Sequence, residues 1–163
     1  MMTAMGKLVV FVIAFGLLIG LALPSGKHAP AAASATVAGE KEIVLTRGST
    51  GHFFTDATVN DHGSVQFIVD TGASIVALST EDAATLGVKF DTSQFEVIGE
   101  GASGAVRGQQ VYLDSVDVGG IKVEHVKAVV LEGSNLSLLG RSFLTHVDHV
   151  DMSGDYLSLR DGG

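Results

Sequence analysis

Asp70-Thr71-Gly72-Ala73-Ser74 stands directly after the apolar run Phe67-Ile68-Val69 and directly before a second one, Ile75-Val76-Ala77-Leu78. A lone carboxylate at the end of a buried strand is expensive to desolvate, so it must be paired, hydrogen-bonded or put to use. Thr71 adds a hydroxyl, and Gly72 adds backbone without a side chain, which can lie close to another chain or a ligand. Two core strands flanking the segment hold its carboxylate on a rigid support. That arrangement suits a general acid or base better than it suits a surface turn. Asp70 is therefore the candidate catalytic residue, and Thr71, Gly72 and Ala73 are its support.

Other constellations offer less. His146-Val147-Asp148-His149 with Asp151 has metal-binding residue types. On a strand, however, the two histidines face opposite sides and no third ligand has a sensible spacing, so a solvated polar edge is expected and no metal. No serine has a base at motif spacing, and the chain has no cysteine, which removes thiolate ligands and thiol nucleophiles. Gly119-Gly120 reads as a hairpin turn, since no helix follows to make a phosphate loop. Asn135-Leu136-Ser137 is a glycosylation sequon whose apolar continuation predicts partial burial. Asp91-Thr92-Ser93 lacks the glycine and the buried flanks, and Asp151-Met152-Ser153-Gly154 reads as a turn. No cofactor is implied by any of these.

The elements around Asp70 are short strands. Apolar residues alternate from Glu42 onward and the pattern breaks often, as in all-β proteins. Ile43 to Leu45 and His52 to Val59 are strands; Asn60-Asp61-His62-Gly63 is a turn, and Ser64 to Val69 returns antiparallel. Ser79-Thr80-Glu81-Asp82 is a capped helix start, with Ala83 to Leu86 helical and Gly87 as the stop. Gln109 to Val116 and Ile121 to Val130 are strands joined at Asp117-Val118-Gly119-Gly120. Leu136 to Leu139 is apolar and expected to be buried. Arg141 to Thr145 makes one or two helical turns, and a hairpin at Ser153-Gly154-Asp155 leads into Tyr156 to Leu159. The predicted class is all-β, a small closed barrel with one or two short helices.

Leu8 to Leu23 carries no charge and follows Lys7. Its length lies between a signal-peptide core and a membrane-spanning helix, and Ala33-Ser34-Ala35 has a signal-peptidase pattern. Residues 1–24 are thus a signal peptide or membrane anchor, 25–40 a flexible tether, and 41–163 the folded domain. The body is expected outside the cytoplasm, exported and either membrane-anchored or periplasmic. Formal net charge is -8 at pH 7, with 10 basic and 18 acidic residues. A body that acidic is a poor partner for nucleic acid.

Asp70-Thr71-Gly72-Ala73 between apolar strands resembles the active-site motif of aspartic proteases, specifically the single-domain retropepsin-like branch of retroviruses and many bacteria. Leu138-Leu139-Gly140 resembles the second signature of that family, two apolar residues followed by glycine. Arg141-Ser142-Phe143-Leu144 is similar to its retroviral continuation. Between the two, Glu100-Gly101-Ala102-Ser103-Gly104-Ala105 lies where the family has a hairpin flap. The resemblance covers roughly Glu42 to Arg160. It departs at Ser74, where retroviral enzymes commonly carry an acid that pairs with the arginine after the second glycine, so Arg141 needs another partner.

The resemblance implies a closed barrel of the retropepsin/acid-protease type and endopeptidase activity on a polypeptide substrate. Its mechanism uses two aspartates that share one proton, because like charges in contact cannot both ionise cheaply. This sequence has one Asp-Thr-Gly. The second carboxylate must come from another copy of the chain, a homodimer with Asp70 of each copy on the twofold axis. Gly101, Ala102, Ser103 and Gly104 would be the flap that meets substrate. The alternative is a catalytically silent barrel, tethered to the membrane, that only binds peptides or a partner protein.

Overall fold

The computed structural model describes residues 12–13, 40–101 and 104–162. The proposed signal or anchor and tether lie outside the described residues, apart from Val12–Ile13 and Glu40. Among the described residues, no helix is long and apolar enough to cross a membrane.

In chain order the strands begin with β1 (Val12–Ile13), β2 (Lys41–Thr46), β3 (Phe54–Val59), β4 (Gly63–Val69) and β5 (Val76–Ser79). Helix α1 (Thr80–Thr85) follows, then β6 (Glu96–Gly101), β7 (Gly104–Val118), β8 (Ile121–Leu131) and β9 (Ser137–Leu139). Helix α2 (Arg141–Leu144), β10 (His149–Ser153) and β11 (Tyr156–Asp161) complete the domain. The protein is mostly β. A wall in the order β7-β3-β4-β9-β5-β8 closes on itself through the β7–β8 pairing, making a six-stranded barrel. β6 extends the wall beside β7, with β1 beyond it, and β2, β11 and β10 form a separate sheet.

Side-chain period explains the barrel. Along β3, Thr55, Ala57 and Val59 are buried and alternate with more exposed neighbours. β4 alternates at first, but its last three residues, Phe67, Ile68 and Val69, are all buried. Phe67 and Val69 join the main core inside the barrel, whereas Ile68 joins a second cluster with Ala73, Ala77, Val129, Leu131 and Leu138. Apolar runs without alternation therefore mark strands covered on both faces. Ile43, Leu45, Leu157 and Leu159, from β2 and β11, belong to the main core.

The capped helix forms at the expected place. Ser79 Oγ accepts from the Asp82 N–H at 3.0 Å. Ser137 Oγ, on β9, donates to Asp82 Oδ2 at 2.6 Å and accepts from the Ser79 N–H at 3.1 Å. A polar network thus ties α1 to the strand that carries the second signature. The turn at Asn60-Asp61 is also as expected, with both residues at positive φ, and Asn60 Oδ1 accepts from the Asp114 N–H at 2.8 Å.

Several expectations shift. β6 is a strand that the sequence reading leaves unassigned, and β7 starts five residues earlier than Gln109, at Gly104. Leu136 is 43% exposed, so burial of the apolar run begins at Ser137. Asp151-Met152-Ser153 is strand, not turn, because Gly154 and Asp155 alone make the reversal. His146 sits in the turn after α2, off the strand where it was expected.

Ser137→Ala should destabilise the fold by about 1–3 kcal/mol, since it strips a partner from the Ser79 N–H and the Asp82 carboxylate. Urea unfolding measures this; a midpoint unchanged from wild type would remove the network from the account.

Candidate active site

β4 carries Asp70 at its end. The Asp70 N–H donates to the Leu139 carbonyl at 3.1 Å, and the Ala73 N–H donates to the Asp70 carbonyl at 3.2 Å, closing a tight turn. The Gly72 N–H donates to Asp70 Oδ1 at 2.9 Å, which orients the carboxylate. β9 lies between the two strands flanking this turn. It pairs parallel with β4, Val69 opposite Leu139, and antiparallel with β5, Ala77 opposite Leu138. The two sequence signatures are therefore neighbours in one sheet.

Gly140 is where they meet. A Cβ there would stand 2.2 Å from the Ile75 carbonyl oxygen and 2.9 Å from that of Ala73. Both are backbone atoms, so no rotamer change relieves the clash. The close approach lets the Arg141 N–H donate to the Ala73 carbonyl at 2.8 Å. The Asp70 loop is thus fastened at both ends by backbone bonds from residues 139 and 141. Ser142 adds a bond that the sequence reading does not single out. Its Oγ accepts from the Val76 N–H at 2.8 Å and donates to the Lys127 carbonyl at 2.7 Å, bridging β5 and β8.

In the single protomer Asp70 is half-buried, while Thr71 and Gly72 are exposed and Ala73 is buried. The full desolvation expected of the carboxylate is absent here because the outer side of the loop is open. Asp70 takes part in none of the ion pairs among the described residues. Arg141 is exposed and likewise in no ion pair there, so its link to the loop is through its backbone.

The expected flap region is a β-hairpin. Gly101 at the end of β6 pairs with Gly104 at the start of β7. Ala102 and Ser103 lie outside the described residues. At Gly108, β7 passes from pairing with β6 to pairing with β8, and a Cβ there would stand 2.5 Å from the Val130 carbonyl oxygen. Arg107 braces this base, donating to the Phe95 carbonyl at 2.7 Å and to Glu132 Oε2 at 3.1 Å. Beyond it, Ile98 and Val106 pack on the second apolar cluster. Ile98, Ala73, Ile75, Ala77, Val129 and Leu138 are among the residues lining a partly open apolar pocket between the Asp70 loop and β6. His149 and Asp151 share a face of β10, and among the described residues no group of three or more His, Asp or Glu side chains comes together.

A family model described as "gag-polyprotein putative aspartyl protease" matches residues 55–146, which include both signatures and the hairpin. The chain belongs to the retropepsin-like aspartyl protease family. A crystal structure of a retropepsin-like aspartic protease from Rickettsia conorii superposes with a TM-score of 0.64 at 30% identity, covering 80% of this chain and 96% of that one. The EIAV protease, solved with the inhibitor HBY-793, shares the fold at a TM-score of 0.50 and 22% identity, over 62% of this chain and 92% of its own. A Sinorhizobium sp. protein, "Uncharacterized protein in cobV 5'region", is 38% identical over 125 residues, 76% of this chain and 53% of its own length. The Rickettsia prowazekii protein RP867 is 34% identical over 119 residues, 72% of this chain and 51% of its own length. The chain thus spans about half the length of these two relatives. In this retropepsin-like barrel the family's two signatures are the two halves of one clamp.

Gly140→Ala should cost at least about 3 kcal/mol or prevent folding, because backbone must move. Gly72→Ala, whose Cβ would meet only Asp70 Oδ1 at 3.2 Å, should fold and disturb the carboxylate instead. Thermal melts of the two variants compare them directly; equal stability would argue against the clamp.

Proposed function

We propose that this chain is an aspartic endopeptidase that works as a homodimer, one Asp70 from each copy. The observation that carries this reading is the fastened Asp70 loop, its carboxylate oriented by the Gly72 N–H and its Thr71-Gly72 face open. An open face on a catalytic loop suits a second copy of the same loop, and one carboxylate cannot do the work of two.

The pair holds one proton. The ionised carboxylate takes a proton from a water, whose oxygen adds to the scissile carbonyl carbon while the other carboxylate gives its proton to the carbonyl oxygen. The tetrahedral adduct then collapses, the C–N bond breaks, and the amine nitrogen leaves with a proton returned through the pair. Two carboxyl groups are regenerated with one proton between them. The substrate is a polypeptide with an aliphatic side chain near the cleaved bond, because the walls beside the Asp70 loop are apolar. The β6–β7 hairpin, whose Ile98 and Val106 pack on these walls, is the flap and moves to admit substrate. Residues 1–24 export the domain and, where they stay attached, hold two copies in one membrane plane at raised effective concentration.

Asp70→Asn keeps the shape and removes the ionisable group. Peptide cleavage should fall by several orders of magnitude with the thermal melt preserved; cleavage retained in a folded variant overturns Asp70 as the acid-base residue. Amide exchange in residues 96–108 should slow when a peptide-like inhibitor binds, and unchanged exchange there would remove the flap from the proposal.

A further inference from the structure

The strand that ends in Asp70 has a neighbour with an ionisable ring. β3 and β4 pair antiparallel, with Phe54 opposite Ile68. The ladder runs one residue past β3, because the Val69 N–H donates to the Phe53 carbonyl at 2.9 Å. Carried one step further, the register sets His52 opposite Asp70. Directly opposed residues share a face, with Cβ atoms about 4.5–5.5 Å apart. Phe54 and Ile68, the pair two steps back on that face, belong to the second apolar cluster. The His52 ring stays with them, edge-on to the Phe54 ring with centroids 6.4 Å apart. His52 therefore lies beside Asp70, on the side of the sheet that carries the apolar pocket.

The backbone under His52 is fastened. The Gly48 N–H donates to the His52 carbonyl at 2.7 Å, and the Gly51 N–H donates to the Gly48 carbonyl at 2.9 Å. Arg47 closes the loop by bridging to Phe53, and its guanidinium lies 4.5 Å over the Phe53 ring. A Cβ on Gly48 would stand 3.1 Å from the Phe54 ring, so the loop folds back onto that ring. His52 itself is exposed. The construction matches that at Asp70, a polar side chain presented to solvent from a held loop.

Charge gives the ring a use. The chain carries a formal net charge of -8, so an anionic substrate is repelled unless a local cation offsets the field. Arg47 is already committed, with Nη1 and Nη2 donating to the carbonyls of Gly51 and Gly154 and Nε 3.5 Å from Asp155 Oδ1. The other charged groups about His52 are acids: Asp155 in that pair, Asp70 in the proposed catalytic role, and Asp56, exposed on the same face of β3 beyond Phe54. His52 takes part in none of the ion pairs among the described residues. Its ring is left to meet an anion, and an imidazole carries its charge on the acid side of neutral.

We infer that His52 is a specificity-determining residue, whose imidazolium receives the carboxylate of a substrate Asp or Glu within about three residues of the cleaved bond. That reach follows from the Cβ separation and an extended rise of about 3.3 Å per residue. The inference rests on the protease reading of the Asp70 loop. In a twofold dimer each copy supplies one His52, so the acid is accepted on either side of the bond. The apolar pocket and His52 then read two different features of one peptide. Bound substrate makes this contact as fully as the transition state does, so it acts through KM.

The test takes a peptide that the wild-type chain cleaves and places Glu or Gln at each position near the bond in turn. At one position or more, wild type should favour Glu by about tenfold in kcat/KM, through KM, at about pH 5–6. The preference should disappear above neutral pH, where the imidazole is uncharged. The Asp70 pair's own pH dependence cancels in this ratio, since both peptides meet the same pair. His52→Gln should remove the preference at every pH, and His52→Lys should keep it and extend it above neutral. Equal rates on Glu and Gln peptides in wild type, a wild-type preference constant across pH, or one that survives in folded His52→Gln overturns this role and leaves the protease reading intact. A wild-type chain that cleaves no peptide overturns the protease reading, and this inference with it.

Discussion

Backbone contact at Gly140 is the constraint from which the site follows. The carbonyls of Ala73 and Ile75 lie so close that only a hydrogen fits in place of a side chain. That approach seats β9 between β4 and β5, and it aligns the Leu139 carbonyl and the Arg141 N–H with the two ends of the Asp70 turn. Seating β9 also closes the barrel, because the wall passes from β4 to β5 only through it. Closure in turn covers both faces of three short strands, which is why their residues form apolar runs rather than alternating. A carboxylate on this turn cannot wander. Among the described residues its geometry rests on backbone bonds and packing, not on an ion pair.

Barrel and hairpin divide at Gly108. β7 belongs to the barrel up to Gly108 and to the hairpin beyond it, with Arg107 bracing the boundary through Phe95 and Glu132. The second apolar cluster lies between the two, floored by barrel residues and capped by Ile98 and Val106. In the proposed flap role, opening the hairpin would expose apolar surface, a cost that an aliphatic substrate side chain would offset by covering the same residues. The Thr71-Gly72 face is left open in one protomer.

The sequence exposed those features that have a local cause. An aspartate between two uninterrupted apolar runs, a serine three residues before its capped amide, and glycines at reversals each leave a signature within a few residues. Asp70, α1 and the Asn60-Asp61 turn were legible for that reason. Leu138-Leu139-Gly140 was legible as a family resemblance, but why glycine is required was not, since the atoms it must avoid lie some sixty-five residues earlier at Ala73 and Ile75. The same distance hid the bonds from Ser137 to Asp82 and from Ser142 to Val76. β6 escaped notice because its faces are unequal, a mixture of glycine, glutamate and two aliphatic residues without a period. The second half of β10, Asp151 to Ser153, read as a turn because β10 carries no core residue of its own, although its pairing with β11 makes it a strand.

Whether two carboxylates from two copies make one site is decided most directly by mixing. Wild-type and Asp70→Asn chains, refolded together at a fixed total concentration high enough to saturate association, assort at random into twofold dimers. At equal proportions about a quarter of the dimers carry two carboxylates. The account predicts about a quarter of the all-wild-type cleavage rate, falling with the square of the wild-type fraction. A rate of about one half, linear in that fraction, would mean that each Asp70 works alone and would contradict it.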